Sequence, residues 1–310
     1  MAVDSSLVLL DGPWEHRTVR ANGIAFHVAE LGAGPLVLLL HGFPQMWWAW
    51  RHQLVDLADA GFRAVAVDQR GCGASDKPPR GYDLPTLAED VAKLVTALGE
   101  RAAVVVGSGL GGMLAWTVAA RHPQVVERVA VLGAAHPLRL RDGIVADPRG
   151  QGRAASHALW SFQLPRWPEA RLARDPAYAR GLFDSWTGPA WRASAEYDAA
   201  VARYAEALRI HAVAHLCLEP FRWMVRSRFR PDGHRYTQSM RVPVAAPVLQ
   251  LHGRLDGCVL PSTAQGSERH VAGEYQWRAL DNVGHFPQDE APQAVATELI
   301  DWLRRPLTGR

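Results

Sequence analysis

The stretch Val104-Val-Val-Gly-Ser-Gly-Leu-Gly-Gly-Met-Leu-Ala-Trp116, VVVGSGLGGMLAW, decides the fold. An apolar run rich in valine stops at a glycine-rich turn, and an apolar helical pattern begins at once. β-Branched residues suit a pleated surface, while glycine tolerates the sharp reversal between two elements. Enzymes often mount a nucleophile on such a strand-to-helix turn. Here the tip of the turn is Gly109, which has no side chain to offer.

Working outward, Leu36–Leu40, Ala64–Val67 and Ala102–Val106 are short apolar runs, each ending at glycine or a polar turn. Strands buried on both faces of a parallel sheet have this character. Between them, Leu84, Leu87, Val91, Leu94, Val95 and Leu98 recur at helical spacing. The alternation of strand and helix predicts an α/β fold with a mostly parallel sheet flanked by helices. Further strands are expected at Val129–Leu132, Val248–Leu251 and Tyr275–Leu280. A closing helix is expected over Glu290–Leu303, with Pro292 in its first turn and Val295, Leu299, Trp302 and Leu303 facing inward. Residues 137–240 break the rhythm with Pro, Arg and Trp and no convincing strand. They read as a helical lid inserted into a core formed by 1–136 and 241–310. Trp160, Trp167, Trp186, Trp191 and Trp223 fall in that lid, as lid core or as the wall of an apolar pocket.

The 310 residues carry 34 basic and 31 acidic side chains, a net charge of +3, and no basic run. That balance excludes a nucleic-acid binder. The N-terminus, MAVDSSLVLLDGPWEHR, lacks a basic leader, and its apolar run is only Leu7–Leu10, so neither a signal peptide nor a membrane span is expected. Cys72, Cys217 and Cys258 are widely spaced and odd in number. They suggest no disulfide framework and no metal site, and point to a reduced cytoplasm. No cofactor is expected.

Four motifs follow one another in a telling order: His41-Gly-Phe-Pro44 after a strand, DQRGCGASDKP at 68–78, the opening stretch, and the pair Gly253-Arg-Leu-Asp256 and Gly284-His-Phe286. A histidine that takes a proton needs a buried carboxylate to fix its tautomer and steady the imidazolium. Asp256 and His285 are that pair. Backbone N–H groups at Phe43 and Leu110 are placed to stabilise a developing anion. Gly107, Gly109 and Gly112 also fit a dinucleotide-binding G-x-G-x-x-G by count, but the acid expected about 20 residues on is Glu127, which precedes a strand.

With these motifs in this order, the chain resembles the epoxide hydrolase branch of the α/β-hydrolase fold, close to the haloalkane dehalogenases. The resemblance implies an Asp nucleophile within G-x-D-x-G-G, which forms an ester that histidine-activated water then cleaves. Laid over Gly107-Ser-Gly-Leu-Gly-Gly112, that Asp falls on Gly109. Ser108 is a rival nucleophile, but G-x-S-x-G needs glycine at both Val106 and Leu110. The resemblance also implies two lid tyrosines that hydrogen-bond the epoxide oxygen. The residue before Phe162-Gln163 is Ser161, and the residue before Arg222 is Phe221. Tyr204 and Tyr236 do not fit the pattern, and the Trp186 indole is another donor. The expected pocket comprises His41, Pro44, Trp47, Ser108, Ser161, Trp186, Phe221 and Phe286.

The residues therefore favour a hydrolase for a bulky apolar or aromatic small molecule, with the Asp256–His285 dyad activating water or substrate. The alternative is a family member, native or altered at Gly109, that binds an apolar ligand or a partner without turnover. Oligomeric state is open, a dimer included.

Overall fold

The computed structural model describes residues 3–306. The expected core spanned both chain ends, so its first two and last four residues lie outside the described part. Eight strands form one sheet: β1 (Glu15–Ala21), β2 (Ile24–Leu31), β3 (Leu36–Leu40), β4 (Arg63–Val67), β5 (Ala103–Ser108), β6 (Val126–Leu132), β7 (Val248–Gly253) and β8 (Tyr275–Leu280). Their order is β1-β2-β4-β3-β5-β6-β7-β8. The pairs β1–β2 and β2–β4 are antiparallel, and all others are parallel. The helices of eight residues or more are α1 (Arg51–Asp59), α2 (Leu84–Ala97), α3 (Leu110–Arg121), α4 (Pro137–Ala146), α5 (Trp167–Arg174), α6 (Pro176–Trp186), α7 (Ala195–Ala207), α8 (Glu219–Arg226), α9 (Pro231–Ser239) and α10 (Pro292–Leu303).

All five residues of β3 are buried, because the strand is covered on both faces. Side chains alternate across a strand. Leu36, Leu38 and Leu40 thus pack with α2 and α3 on one face. Val37 and Leu39 pack with Leu54 and Leu57 of α1 and with Val295, Leu299 and Trp302 of α10 on the other. The parallel strands carry their loops to one carboxyl edge, where ligand crevices form in such sheets.

Two strands were not foreseen in the sequence. β1 exposes Glu15, Arg17, Thr18 and Arg20 and buries only Val19 and Ala21 completely, so it lacks the apolar run of a central strand. Its signal was the turn: Asn22 and Gly23, both at positive φ, join β1 to β2, and Asn-Gly suits a tight hairpin. The closing helix begins at Pro292 rather than Glu290, because Pro287–Glu290 forms a separate turn.

Between β6 and β7, the described elements are all helical, from α4 to α9. Leu172, Phe183, Tyr197, Val201 and Tyr204 form an apolar core that continues into Phe43, Met46 and Phe286 above the sheet. A buried polar cluster ties the two parts. Arg51 of α1 donates to Asp289 at 2.5 Å and also to Glu196 of α7. The Tyr204 hydroxyl donates to Asp289 at 3.0 Å, and Gln45 Nε2 donates to it at 2.6 Å. Removing one partner of a buried ion pair strands the other charge. Asp289→Ala is therefore expected to lower stability by about 3–5 kcal/mol in urea denaturation. Glu196→Ala, at the solvent-facing end, is expected to cost less than about 1 kcal/mol.

Candidate active site

β5 ends at Ser108 and α3 starts at Leu110, leaving Gly109 alone to turn the chain. Its φ of 52° and ψ of −116° lie in a region that glycine enters without a Cβ penalty. The Gly109 N–H donates to the Leu132 carbonyl of β6 at 2.9 Å, and its carbonyl accepts from the Met113 N–H at 3.0 Å. The turn is thus fixed by the sheet on one side and the helix on the other. A Cβ on Gly109 would lie 3.1 Å from His285 Nε2. Ser108 is directed elsewhere: its hydroxyl is buried and donates to Gln288 Oε1 at 2.8 Å.

His285 Nδ1 lies 3.0 and 2.9 Å from the two oxygens of Asp256. With the proton on Nδ1 donated to the carboxylate, Nε2 remains as the acceptor that faces Gly109. Asp256 Oδ1 also accepts the N–H groups of Cys258 and Val259 at 2.8 and 2.9 Å. The loops after β7 and β8 meet closely: a Cβ on Gly253 would overlap the Gly284 carbonyl, which accounts for glycine before the acid. Glu290 brackets the histidine. Its carboxylate accepts the N–H groups of Gly284 at 2.7 Å and Phe286 at 2.9 Å, and that of Gly188 at 2.8 Å. The His285 N–H donates to the Trp186 carbonyl at 2.8 Å, so α6 docks onto the same loop.

Burial opposes the imidazolium of His285, but the Asp256 carboxylate outweighs it and neighbouring Cys258 adds to it. His285 is held well above the ordinary imidazole range. Asp256→Asn leaves the burial and removes the charge. NMR titration of His285 is therefore expected to show a raised pKa in the parent and a marked drop from it in Asp256→Asn.

A cavity of about 270 Å³ opens above the elbow. Gly109, Leu110, Phe43, Trp186, Phe221 and His285 all line it. Met113, Leu138, Ile144, Leu159, Trp223 and Met224 make the rest of its wall largely apolar. The N–H groups of Phe43 and Leu110 have no backbone acceptor among the described residues.

Other residues expected in the pocket lie elsewhere. Trp47 is fully buried in the core, where its indole donates to the Val8 carbonyl at 2.8 Å and its ring meets Trp14 edge-on. His41 sits behind the turn: Nδ1 lies 2.9 Å from the Gly42 carbonyl, and Nε2 accepts the Gln69 N–H at 3.3 Å. Pro44 follows a cis peptide bond and does not line the cavity. Phe286 is buried between Phe183 and His285. Ser161 is half-buried on a short turn off the cavity wall. Trp160 and Trp167, in the expected lid, are exposed. Tyr204 is spent on Asp289, whereas Tyr236 lines the cavity with its hydroxyl 3.0 Å from Thr117 Oγ1.

Three residues at this site escaped sequence reasoning. Cys258 lines the cavity, as His285 does; its place two residues after Asp256 was the available signal. Glu290 was assigned to a helix rather than to the histidine loop. His252 is buried with Nε2 3.3 Å from Asp256, and nothing in the sequence marked it. Among the described residues no group of three or more His, Cys, Asp or Glu side chains is arranged to hold a metal ion. No described helix is long and apolar enough to cross a membrane.

Comparison with known proteins agrees with this architecture. The family model for the alpha/beta hydrolase fold matches residues 35–292. The chain is 31% identical to the AB hydrolase superfamily protein YfhM of Bacillus subtilis, over 92% of this chain and 96% of that one. It is 36% identical to mouse (Mus musculus) epoxide hydrolase 4, over 89% of this chain and 76% of the relative. The crystal structure of epoxide hydrolase A from Mycobacterium thermoresistibile superposes with a TM-score of 0.77 at 28% identity, covering 94% of this chain and 98% of that one. The chain belongs to the alpha/beta hydrolase fold family, in its epoxide hydrolase branch.

Proposed function

We propose that this protein hydrolyses a bulky apolar or aromatic small molecule without forming a covalent bond to it, using His285 to activate water beside Gly109. The observation that carries this reading is the 3.1 Å between His285 Nε2 and a Cβ position that glycine leaves free within the cavity wall. A water there is within reach of Nε2, which takes its proton while Asp256 steadies the imidazolium. The resulting hydroxide attacks the electrophilic carbon. In an ester, the charge on the carbonyl oxygen falls to the N–H groups of Phe43 and Leu110, and His285 returns its proton to the leaving alkoxide. An epoxide, the substrate class in the relatives' names, asks for a donor to the ring oxygen. Phe221 supplies none and the Tyr236 hydroxyl is engaged with Thr117, which leaves the Trp186 indole as the aromatic donor in the cavity wall. The apolar lining supports a ligand with a large hydrophobic body. The residues 137–240 act in this reading as the lid that supplies that lining.

The test compares the protein with Gly109→Asp, His285→Ala and Cys258→Ser on aryl esters and aryl epoxides. Turnover by the parent, with a loss of roughly 10²–10⁴-fold in His285→Ala and little loss in Cys258→Ser, is the expected result. Loss in Cys258→Ser identifies a thiol nucleophile instead. Turnover only in Gly109→Asp identifies a chain that binds without reacting, a reading favoured by Phe221 in the wall. Because the base must be neutral and its pKa is raised, kcat/KM is expected to rise with pH through a limb above the ordinary imidazole value.

A further inference from the structure

Cys72 and Cys217 are 145 residues apart, yet their sulfurs lie 2.8 Å from each other. Cys72 belongs to the loop after β4, and Cys217 lies two residues before α8, the helix that carries Phe221 and Trp223. Both are free and buried. The spacing of the sequence gave no reason to pair them, because the contact forms only when the helical insertion folds down onto the core.

The sulfurs are closer than unbonded thiols ordinarily approach and less than about 1 Å beyond the covalent S–S distance. A second, small cavity of about 20 Å³ is lined by both cysteines and by His41. That is room for one water-sized molecule. Phe43 and Leu110 line this cavity and the larger one alike, so the two lie side by side. His41 completes the group. With Nδ1–H donated to the Gly42 carbonyl, Nε2 is an acceptor, held by the Gln69 N–H at 3.3 Å, and the imidazole lines the same small cavity as Cys72.

We propose that Cys72 and Cys217 are a modification site, oxidised by a small hydroperoxide to a disulfide that fastens the helical insertion to the core. His41 takes the Cys72 thiol proton. The thiolate sulfur bonds to the terminal peroxide oxygen and the O–O bond breaks, giving a sulfenic acid on Cys72 and an alcohol or water that carries away the proton. The Cys217 sulfur then displaces hydroxide from the sulfenic sulfur, forming the S–S bond and releasing a second water. Two thiols are oxidised by two electrons and one peroxide is reduced. At rest the Cys72 sulfur is a thiol. The Cys217 sulfur and burial together hold Cys72 well above the ordinary thiol range, which makes the step dependent on His41 and slow in its absence. The site is independent of the chemistry at Gly109 and involves neither Asp256 nor His285.

The test uses the full chain with Cys258→Ser, so that only the pair remains. The reduced protein is treated with hydrogen peroxide, alkylated, digested without reductant and mapped by mass spectrometry. The expected result is a peptide joining Cys72 to Cys217, two hydrogens lighter than the separate peptides, with both thiols lost to alkylation and regained with dithiothreitol. In the further variant Cys217→Ser, the reaction is expected to stop at a sulfenic acid on Cys72, captured by dimedone. Two results overturn the proposal: both thiols remaining open to alkylation after peroxide, or oxygen added to either sulfur with no linked peptide in the chain that retains both.

Discussion

The site depends on the contact between His285 Nδ1 and the two oxygens of Asp256, at 3.0 and 2.9 Å. The contact spans two loops that leave neighbouring strands, β7 and β8, at the same edge of the sheet. Parallel pairing alone brings those loops side by side. Their close meeting requires glycine at 253, and the Glu290 carboxylate then pins the backbone on either side of the histidine. Trp186 adds a bond from the helical insertion to the same residue. The orientation of Nε2 toward Gly109 is thus fixed by sheet, loop and insertion together. A side chain so constrained loses little freedom when it acts on a bound water.

The elbow retains the backbone of a nucleophile turn without the carboxylate that the resemblance implies. Its φ and ψ, open to glycine without penalty, are fixed because the turn is bonded to Leu132 on one side and Met113 on the other, neither of which needs a side chain at 109. The backbone N–H groups of Phe43 and Leu110 and the dyad likewise stand independently of that side chain. In our proposal this independence matters. In that reading glycine at 109 leaves out covalent catalysis, while His285 and the two N–H groups supply the base and the anion-stabilising donors.

Much of this was legible in the sequence, and the reasons differ by element. β3 was read to the residue because a buried parallel strand is a short apolar run with sharp ends; β8, half-buried at the far edge of the sheet, was read with the same bounds although its sequence YQWRAL is mixed. β1 was not, because at the sheet edge its exposed charged residues obscure the alternation. The Asp256–His285 contact was expected from motif order and glycine spacing, which are linear signals. Pocket membership was less so. Trp47 lies only three residues beyond Pro44, yet the short helical turn there directs it into the core against Trp14 and His16. Cys72 against Cys217, and Tyr204 against Asp289, are contacts across 145 and 85 residues. Such pairs arise from the docking of the insertion, which no local pattern encodes.

The central claim is that hydrolysis at this site proceeds with no bond between substrate and protein. Rapid-quench intact-mass spectrometry during turnover of an aryl ester and of an aryl epoxide tests it most directly. The account predicts product accumulating while the chain keeps its unmodified mass at every time point, from the first turnover onward. A mass increase matching an acyl or hydroxyalkyl group, formed and lost at the rate of turnover, would contradict it.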